Sequence, residues 1–299
     1  MRELKIGMIG LDTSHATAFT KLLNDAITPF HVKGGKVLYA YPIMSPDFEL
    51  SYSRIEQITK EVASFGVEIV SSIEEVAEKG DAILLESVDG RVHLAQLEKL
   101  ILYQKPIFID KPLCLSSKEA NQMYRLSITY NTPIMSSSAL RFAEDLIRVL
   151  SMKDKGTIIG ADCFGPMEMI DVLPGYFWYG IHTIEMLYAI FGKGAKTVRS
   201  FHRDDSDLIV TEWSDGKIGT IRGNRKGNHQ FAAVIHFEKG SEFVSIDSNE
   251  KPFYASLLEE VIRFFETGIG PFSFSETVEI IRFIEAANES RATGKIVEI

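Results

Sequence analysis

Cysteine is scarce in this sequence. Cys114 and Cys163 are the only two among 299 residues, and neither has a cysteine or histidine neighbour at metal-ligand spacing. The sequence therefore indicates neither a disulfide framework nor a structural zinc site. Such cysteine usage fits a reducing compartment, and we expect the protein in the cytoplasm.

Long apolar runs and clustered histidines are missing as well. No run approaches the ~18 residues that a membrane span needs. The apolar stretch from Ile6 to Leu11 is too short for a secretory signal, so we expect neither a membrane segment nor a signal peptide. The histidines form no motif such as H-E-x-x-H, and we predict no metal site.

Positive charge is in deficit. The chain has 32 lysines and arginines against 41 aspartates and glutamates, a formal net charge of −9, and its basic residues are scattered singly. A nucleic-acid-binding protein usually carries a basic face. We therefore expect a small-molecule ligand and no nucleic acid.

Strand and helix patterns alternate through the first half of the chain. Short buried strands and amphipathic helices follow one another from Lys5 to Ser136. This alternation predicts an α/β fold with a parallel, doubly wound sheet of the Rossmann type. We assign residues 1–138 to this nucleotide-binding domain, since 299 residues suffice for two cores.

The pattern changes after about Ala139. Five strand-like segments between Thr197 and Ile246 follow one another without intervening helices, and two amphipathic helices, Phe253 to Thr267 and Ser275 to Thr293, come next. We assign residues 139–299 to an α+β domain with a large mixed, mostly antiparallel sheet. Open antiparallel sheets often pair face to face, so we expect a homodimer or homotetramer.

The turn after the first strand reads Gly10-Leu11-Asp12-Thr13-Ser14-His15, where a dinucleotide fingerprint reads G-x-G-x-x-G. Only the first glycine is present, and the carboxylate of Asp12 would repel a pyrophosphate unless it points away. One interpretation is that Asp12, Thr13 or Ser14 only caps the helix. The other, which is compatible with the first, is that the hydroxyls of Thr13 and Ser14 and the backbone N–H groups at the helix N-terminus still bind an anion. The second strand also lacks the acidic end typical of a NAD site.

Two further motifs stand at element ends. Lys111 follows a predicted strand in Asp110-Lys111-Pro112, where α/β sheets place ligand chemistry, although it can equally pair with Asp110 or solvent. His182 and Glu185 share one face of an apolar helix, so a carboxylate can orient the imidazole there. The alternative is a satisfied core histidine. The preceding aromatic run, Tyr176 to Tyr179, can stack on a sugar or belong to the core.

Taken together, these residues resemble the Gfo/Idh/MocA family of glucose-fructose oxidoreductase and inositol dehydrogenase, along essentially the whole chain. The resemblance rests on the segments Lys5 to Gly10, Val92-His93, Asp110 to Leu113, Arg141-Phe142, Gly180 to Glu185 and Ile284 to Lys295. It implies a Rossmann domain, a mixed-sheet domain, and oxidation of a sugar, cyclitol or related polyol hydroxyl with NAD or NADP.

The resemblance also implies roles for single residues. Lys111 and His182 are the expected catalytic pair, with Lys111 on the substrate hydroxyl and His182 as acid and base. The expected cofactor residues are Gly10, Asp12, Thr13, Ser14, Lys111 and Pro112. The expected substrate residues are Lys111, Arg141, Trp178, His182 and Glu185.

One departure concerns the chemistry itself. Trp178 stands where the family has an aspartate four residues before the histidine, and an indole cannot accept a proton. Either Asp171 or Glu185 compensates, or the chemistry differs. Besides an oxidoreductase, the sequence therefore leaves open a binding or regulatory protein without hydride transfer, and an enzyme of another class such as a lyase or hydrolase.

Overall fold

Two compact units make up the chain. The structure, a computed structural model, describes residues 2–246 and 251–299. The first unit comprises Met1–Ser137 and Tyr254–Phe274, and the second comprises Ser138–Phe253 and Ser275–Ile299. Among the described residues, no helix has the length and apolar character needed to cross a membrane.

The first unit contains a six-stranded parallel sheet, and the predicted Rossmann layout is confirmed. The strand order is β3-β2-β1-β4-β5-β6, as in doubly wound dinucleotide-binding domains. Its central strand β4 is fully buried, as expected when helices cover both faces of a sheet. The strands are β1 (Leu4–Ile9), β2 (Gly35–Tyr41), β3 (Glu68–Ile69), β4 (Ala82–Leu85), β5 (Ile107–Ile109) and β6 (Ile134–Ser136).

Six helices connect these strands. Hydroxyl side chains of Thr13, Ser72 and Ser116 cap α1, α4 and α6 by accepting a backbone N–H of the first turn. The sequence did not predict α2, because four residues are too few to show a helical period. The helices are α1 (Ser14–Asn24), α2 (Glu49–Tyr52), α3 (Ile55–Ser64), α4 (Ile73–Lys79), α5 (His93–Leu100) and α6 (Ser117–Thr129).

The second unit contains a seven-stranded mixed sheet, as predicted. Its order is β12-β11-β7-β10-β9-β8-β13, and only the β7–β10 pair is parallel among the described residues. Helix α8 packs on β7 and β10. The elements that follow β6 along the chain are α7 (Glu144–Leu150), β7 (Ile158–Pro166), α8 (Gly180–Phe191), β8 (Ala195–His202), β9 (Ser206–Trp213), β10 (Ile218–Asn224), β11 (Ala232–Phe237), β12 (Gly240–Ser245), α9 (Phe253–Thr267), α10 (Phe274–Thr293) and β13 (Val297–Glu298).

Helix α9 belongs to the first unit, whereas the sequence-based boundary placed everything after residue 138 in the second domain. The side chain of Ile262 lies over Gly34 and Gly35, where the missing side chains leave room for it. Tyr254 packs edge-on against His15 and Phe19 of α1. Periodicity shows that α9 has an apolar face, but not which sheet that face covers.

Candidate functional site

The turn after β1 lies tightly against the end of β4. Gly10 has a φ of +88°, and a Cβ built on it would lie 2.3 Å from the backbone nitrogen of Ser87. Only glycine fits both the left-handed conformation and this close approach. The one glycine retained from the fingerprint is thus required by the backbone itself.

Asp12 is buried and is not the helix cap. Its carboxylate accepts the backbone N–H of Val88 at 3.0 Å and the hydroxyl of Ser51 at 2.5 Å. Burial raises the pKa of Asp12, although these two hydrogen bonds oppose the rise. Thr13 is the N-cap, accepting the backbone N–H of His15 at 3.4 Å, and Ser14 is the first, exposed residue of α1. The three capping alternatives are therefore resolved in favour of Thr13.

A pocket of about 180 Å³ opens beside this turn within the first unit. It has room for one part of a larger ligand, since pockets that enclose a whole ligand are usually ~300 Å³ or more. Gln96 donates to the Ser87 hydroxyl at 3.0 Å, while its own buried carbonyl oxygen has no hydrogen-bond partner. That oxygen can accept a further hydrogen bond. The lining residues include Asp12, Ile43, Ser45, Ile73, Ser87, Gln96 and Lys99.

Asp110 and Lys111 lie at the end of β5. Lys111 is mostly buried, and a cis peptide bond joins it to Pro112. One oxygen of Asp110 accepts the backbone N–H of Lys111 at 2.8 Å, and the other lies 2.8 Å from Nδ1 of His15. Burial works to raise the pKa of Asp110, but the charges of His15 and Lys111 outweigh it and hold that pKa below its usual range.

Glu86 and His15 join this cluster without having been predicted. Glu86 follows β4, is fully buried, and neither of its carboxylate oxygens has a hydrogen-bond partner. Burial, together with the charge of Asp110, raises the pKa of Glu86 well above its usual range. A glutamate ending an otherwise apolar buried strand was the available sequence signal. The predicted absence of a metal site rested on spacing along the chain, which says nothing of residues 15, 86 and 110 meeting in space.

In the second unit, His182 lies in the first turn of α8. Its Nδ1 is 2.8 Å from the hydroxyl of Ser138, and its ring contacts those of Tyr179 and Phe231. Glu185 accepts the backbone N–H of Ser138 at 3.3 Å. The expected histidine–carboxylate arrangement is thus indirect: Ser138 contacts His182 through its side chain and Glu185 through its backbone.

Arg141 and Glu185 form a buried ion pair. One guanidinium nitrogen of Arg141 donates to Glu185 at 3.0 Å and another donates to Glu276 at 2.5 Å. Burial raises the pKa of Glu185, and the charge of Arg141 opposes that rise. This placement favours a structural role for Arg141 and Glu185 over the predicted contact with substrate.

The aromatic run before α8 divides into two parts. Tyr176 and Phe177 are buried core residues, and the hydroxyl of Tyr176 donates to Asp207 at 2.8 Å. Trp178 and Tyr179 are half-buried and lie ring to ring. Tyr176 and Phe177 therefore belong to the core. Stacking on a ligand stays a prediction for Trp178 and Tyr179. Asp171 is exposed.

The strand order of the first unit is that of a doubly wound dinucleotide-binding domain, and comparisons with known proteins extend this likeness. Residues 4–136 match the model of the Gfo/Idh/MocA family, described as an oxidoreductase family with an NAD-binding Rossmann fold. The resemblance recognised from the sequence is confirmed over this domain.

Solved structures extend the similarity to the whole chain. A probable dehydrogenase from Thermotoga maritima is 16% identical, with a TM-score of 0.80 and 99% of each chain covered. The myo-inositol dehydrogenase from Lactobacillus casei, solved with NAD(H) and myo-inositol, is 14% identical, with a TM-score of 0.78, 100% of this chain covered and 97% of the other.

The scyllo-inositol dehydrogenase of the same organism, solved with NAD(H) and scyllo-inositol, is 14% identical, with a TM-score of 0.79 and 99% of each chain covered. A comparison with curated protein sequences found no match. The prediction of a nicotinamide dinucleotide as the cofactor of this family is confirmed by its description and by these complexes.

Proposed function

We propose that the protein is an NAD(P)-dependent oxidoreductase that transfers hydride between nicotinamide and a hydroxyl of a sugar, cyclitol or related polyol. The observation that carries this proposal is Lys111, a mostly buried cation at the carboxyl edge of the parallel sheet. Ligand chemistry in such sheets is found at this edge. The scarcity of cysteine, with two residues in the chain, is consistent with work in the cytoplasm.

Several residues of the first unit have groups suited to binding the dinucleotide. The turn at Gly10 brings bare backbone to the sheet edge, and the N-terminus of α1 at Thr13 and Ser14 supplies N–H groups suited to phosphate. The acceptor oxygen of Gln96 suits a donor group of the nucleoside. Lys111 and Pro112 are the remaining proposed cofactor residues.

The chain's own side chains supply the proton chemistry. Lys111 donates a hydrogen bond to the reacting oxygen of the substrate and stabilises the charge that develops on it. His182, whose ring is oriented by the Ser138 hydroxyl, takes the hydroxyl proton during oxidation and returns it during reduction. Trp178 stacks on an apolar face of the substrate ring. The bound nicotinamide supplies the hydride acceptor or donor.

A thermal-shift titration with NAD, NADH, NADP and NADPH in the presence of EDTA tests the cofactor requirement. A ligand that binds only the folded state raises the melting temperature in a saturable way. We expect such a rise with the oxidised and reduced forms of at least one of the two cofactors. No rise with any of the four at millimolar concentration contradicts the proposal.

A binding protein without hydride transfer is the second candidate. It is favoured by Trp178, which replaces the family's aspartate and cannot accept a proton. Calorimetry separates the two candidates: heat of binding with a polyol but with none of the four nucleotides would support the binding protein.

A further inference from the structure

Three metal-ligating side chains from separate elements converge in the first unit. His15 comes from α1, Glu86 from the end of β4 and Asp110 from the end of β5, and one ligand atom of each lies within 4.8 Å of the other two. Nδ1 of His15 and Oδ2 of Asp110 are only 2.8 Å apart. A cation between these atoms reaches all three at ordinary metal–ligand distances of ~2.0–2.5 Å after small side-chain movements.

The unsatisfied carboxylate of Glu86 is the reason to expect a ligand in this cluster. The side chain is fully buried, and both carboxylate oxygens lack a hydrogen-bond partner. Buried carboxyl groups are normally hydrogen-bonded, paired or bound to a metal, because an unsatisfied one is costly. The carboxylates of Asp110 and Asp12 add further negative charge, which the charge of Lys111 offsets only in part.

The imidazole of His15 is held in place for such a role. Its ring stacks on Phe19 at 5.5 Å and meets Tyr254 edge-on at 4.9 Å. These contacts direct Nδ1 towards Asp110, and the His15 side chain is 12% exposed, so one member of the cluster is in contact with solvent. Metal-binding histidines depend on this kind of orientation by their surroundings.

We propose that His15, Glu86 and Asp110 bind a divalent first-row transition metal such as Mn²⁺, Co²⁺ or Zn²⁺. One imidazole nitrogen and two carboxylates suit these ions, whereas Ca²⁺ and Mg²⁺ prefer oxygen ligands alone. Three protein ligands leave further coordination positions to water or to an oxygen of a bound ligand. The proposal does not rest on the proposed hydride transfer.

Metal binding is measured on the full chain after removal of metal with EDTA and dialysis. We expect equilibrium dialysis with Mn²⁺, Co²⁺ or Zn²⁺ to give one equivalent per chain for at least one of the ions, with a saturable rise in melting temperature. Co²⁺ adds a visible spectrum that reports its ligands. The E86Q and H15A variants should each bind about 100-fold more weakly or worse, because each loses a direct ligand and loss of a supporting contact alone costs ~10–100-fold.

H236A is the matched control. Nε2 of His236 lies 2.8 Å from the carboxylate of Asp162, but among the described residues this half-buried pair has no third ligand. H236A should therefore bind metal as the wild type does. E86Q should fold, with a melting temperature in EDTA at or above that of the wild type, since glutamine has nearly the same shape and carries no charge that burial would penalise.

Two results would overturn the metal site: no stoichiometric binding of any of the three ions to the wild type, or binding that is undiminished in both E86Q and H15A. The nucleotide titration is run in EDTA, so the two proposals fail separately. A nucleotide shift without metal binding removes only the metal site, and metal binding without a nucleotide shift removes only the dehydrogenase.

Discussion

At the scale of single residues, the partners of a buried polar group indicate whether it has a structural or a chemical role. The predicted substrate residues Arg141 and Glu185 are both buried, and Arg141 bridges Glu185 and Glu276. Lys111 and His182, predicted as catalytic, have surroundings compatible with that role. The sequence singled out all four residues as candidates for the site. It does not show their contacts in space, and these contacts distinguish a residue in a structural ion pair from one that binds substrate.

Arg141→Ala tests this division. The substitution leaves the carboxylates of Glu185 and Glu276 buried without their cation, and we expect a loss of about 3–5 kcal/mol in the free energy of unfolding by urea. Arg148→Ala is the control, because its pair with Asp145 is exposed and worth ~1 kcal/mol or less. An Arg141→Ala protein of unchanged stability with a raised KM would instead make Arg141 a substrate ligand.

At the scale of elements, the parallel sheet and its helices were predictable because buried strands and amphipathic helices have different periods. Helix α2 was missed, although Ser51 within it binds the carboxylate of Asp12. The meeting of Glu86, His15 and Asp110 could not be predicted, since it depends on strand order rather than on spacing. The sequence-based boundary also put α9 in the second domain, whereas the structure groups Tyr254–Phe274 with the first unit.

The turn between β1 and α1 yields a prediction at this scale. Gly10→Ala forces a Cβ to within 2.3 Å of the Ser87 nitrogen in addition to the left-handed conformation, so we expect a loss of more than ~2 kcal/mol in unfolding free energy. Gly66→Ala is matched in φ, at +82°, but a Cβ there meets nothing within 4 Å. It should cost only the ~1–2 kcal/mol of backbone strain. Equal losses in the two variants would show that the close approach is absent in solution.

At the scale of the whole molecule, the outer face of the second sheet carries exposed apolar side chains. Phe201, Ile218 and Phe243, from β8, β10 and β12, are each about half exposed. We propose that this face pairs two copies of the chain in a homodimer or homotetramer, since solvent-exposed apolar side chains on one face mark interaction sites.

Light scattering coupled to size exclusion tests the pairing. The wild type should elute as a dimer or tetramer, and Ile218→Lys, which puts a charge on that face, should shift it to a smaller species without changing the melting temperature of the monomer. Lys60→Ala removes an exposed ion pair with Glu56 on α3 and should leave the size of the assembly unchanged. A wild-type monomer at tens of micromolar would rule the interface out.

The central claim is hydride transfer with Lys111 in the proton chemistry, and turnover measures it most directly. Purified protein is assayed by nicotinamide absorbance against a panel of sugars and cyclitols, and Lys111→Ala is compared with wild type and with Lys60→Ala on any substrate found. We predict turnover with at least one polyol, lowered about 100-fold or more by Lys111→Ala and unchanged by Lys60→Ala. Undiminished turnover in Lys111→Ala, or nucleotide binding without turnover on any polyol, would contradict the account.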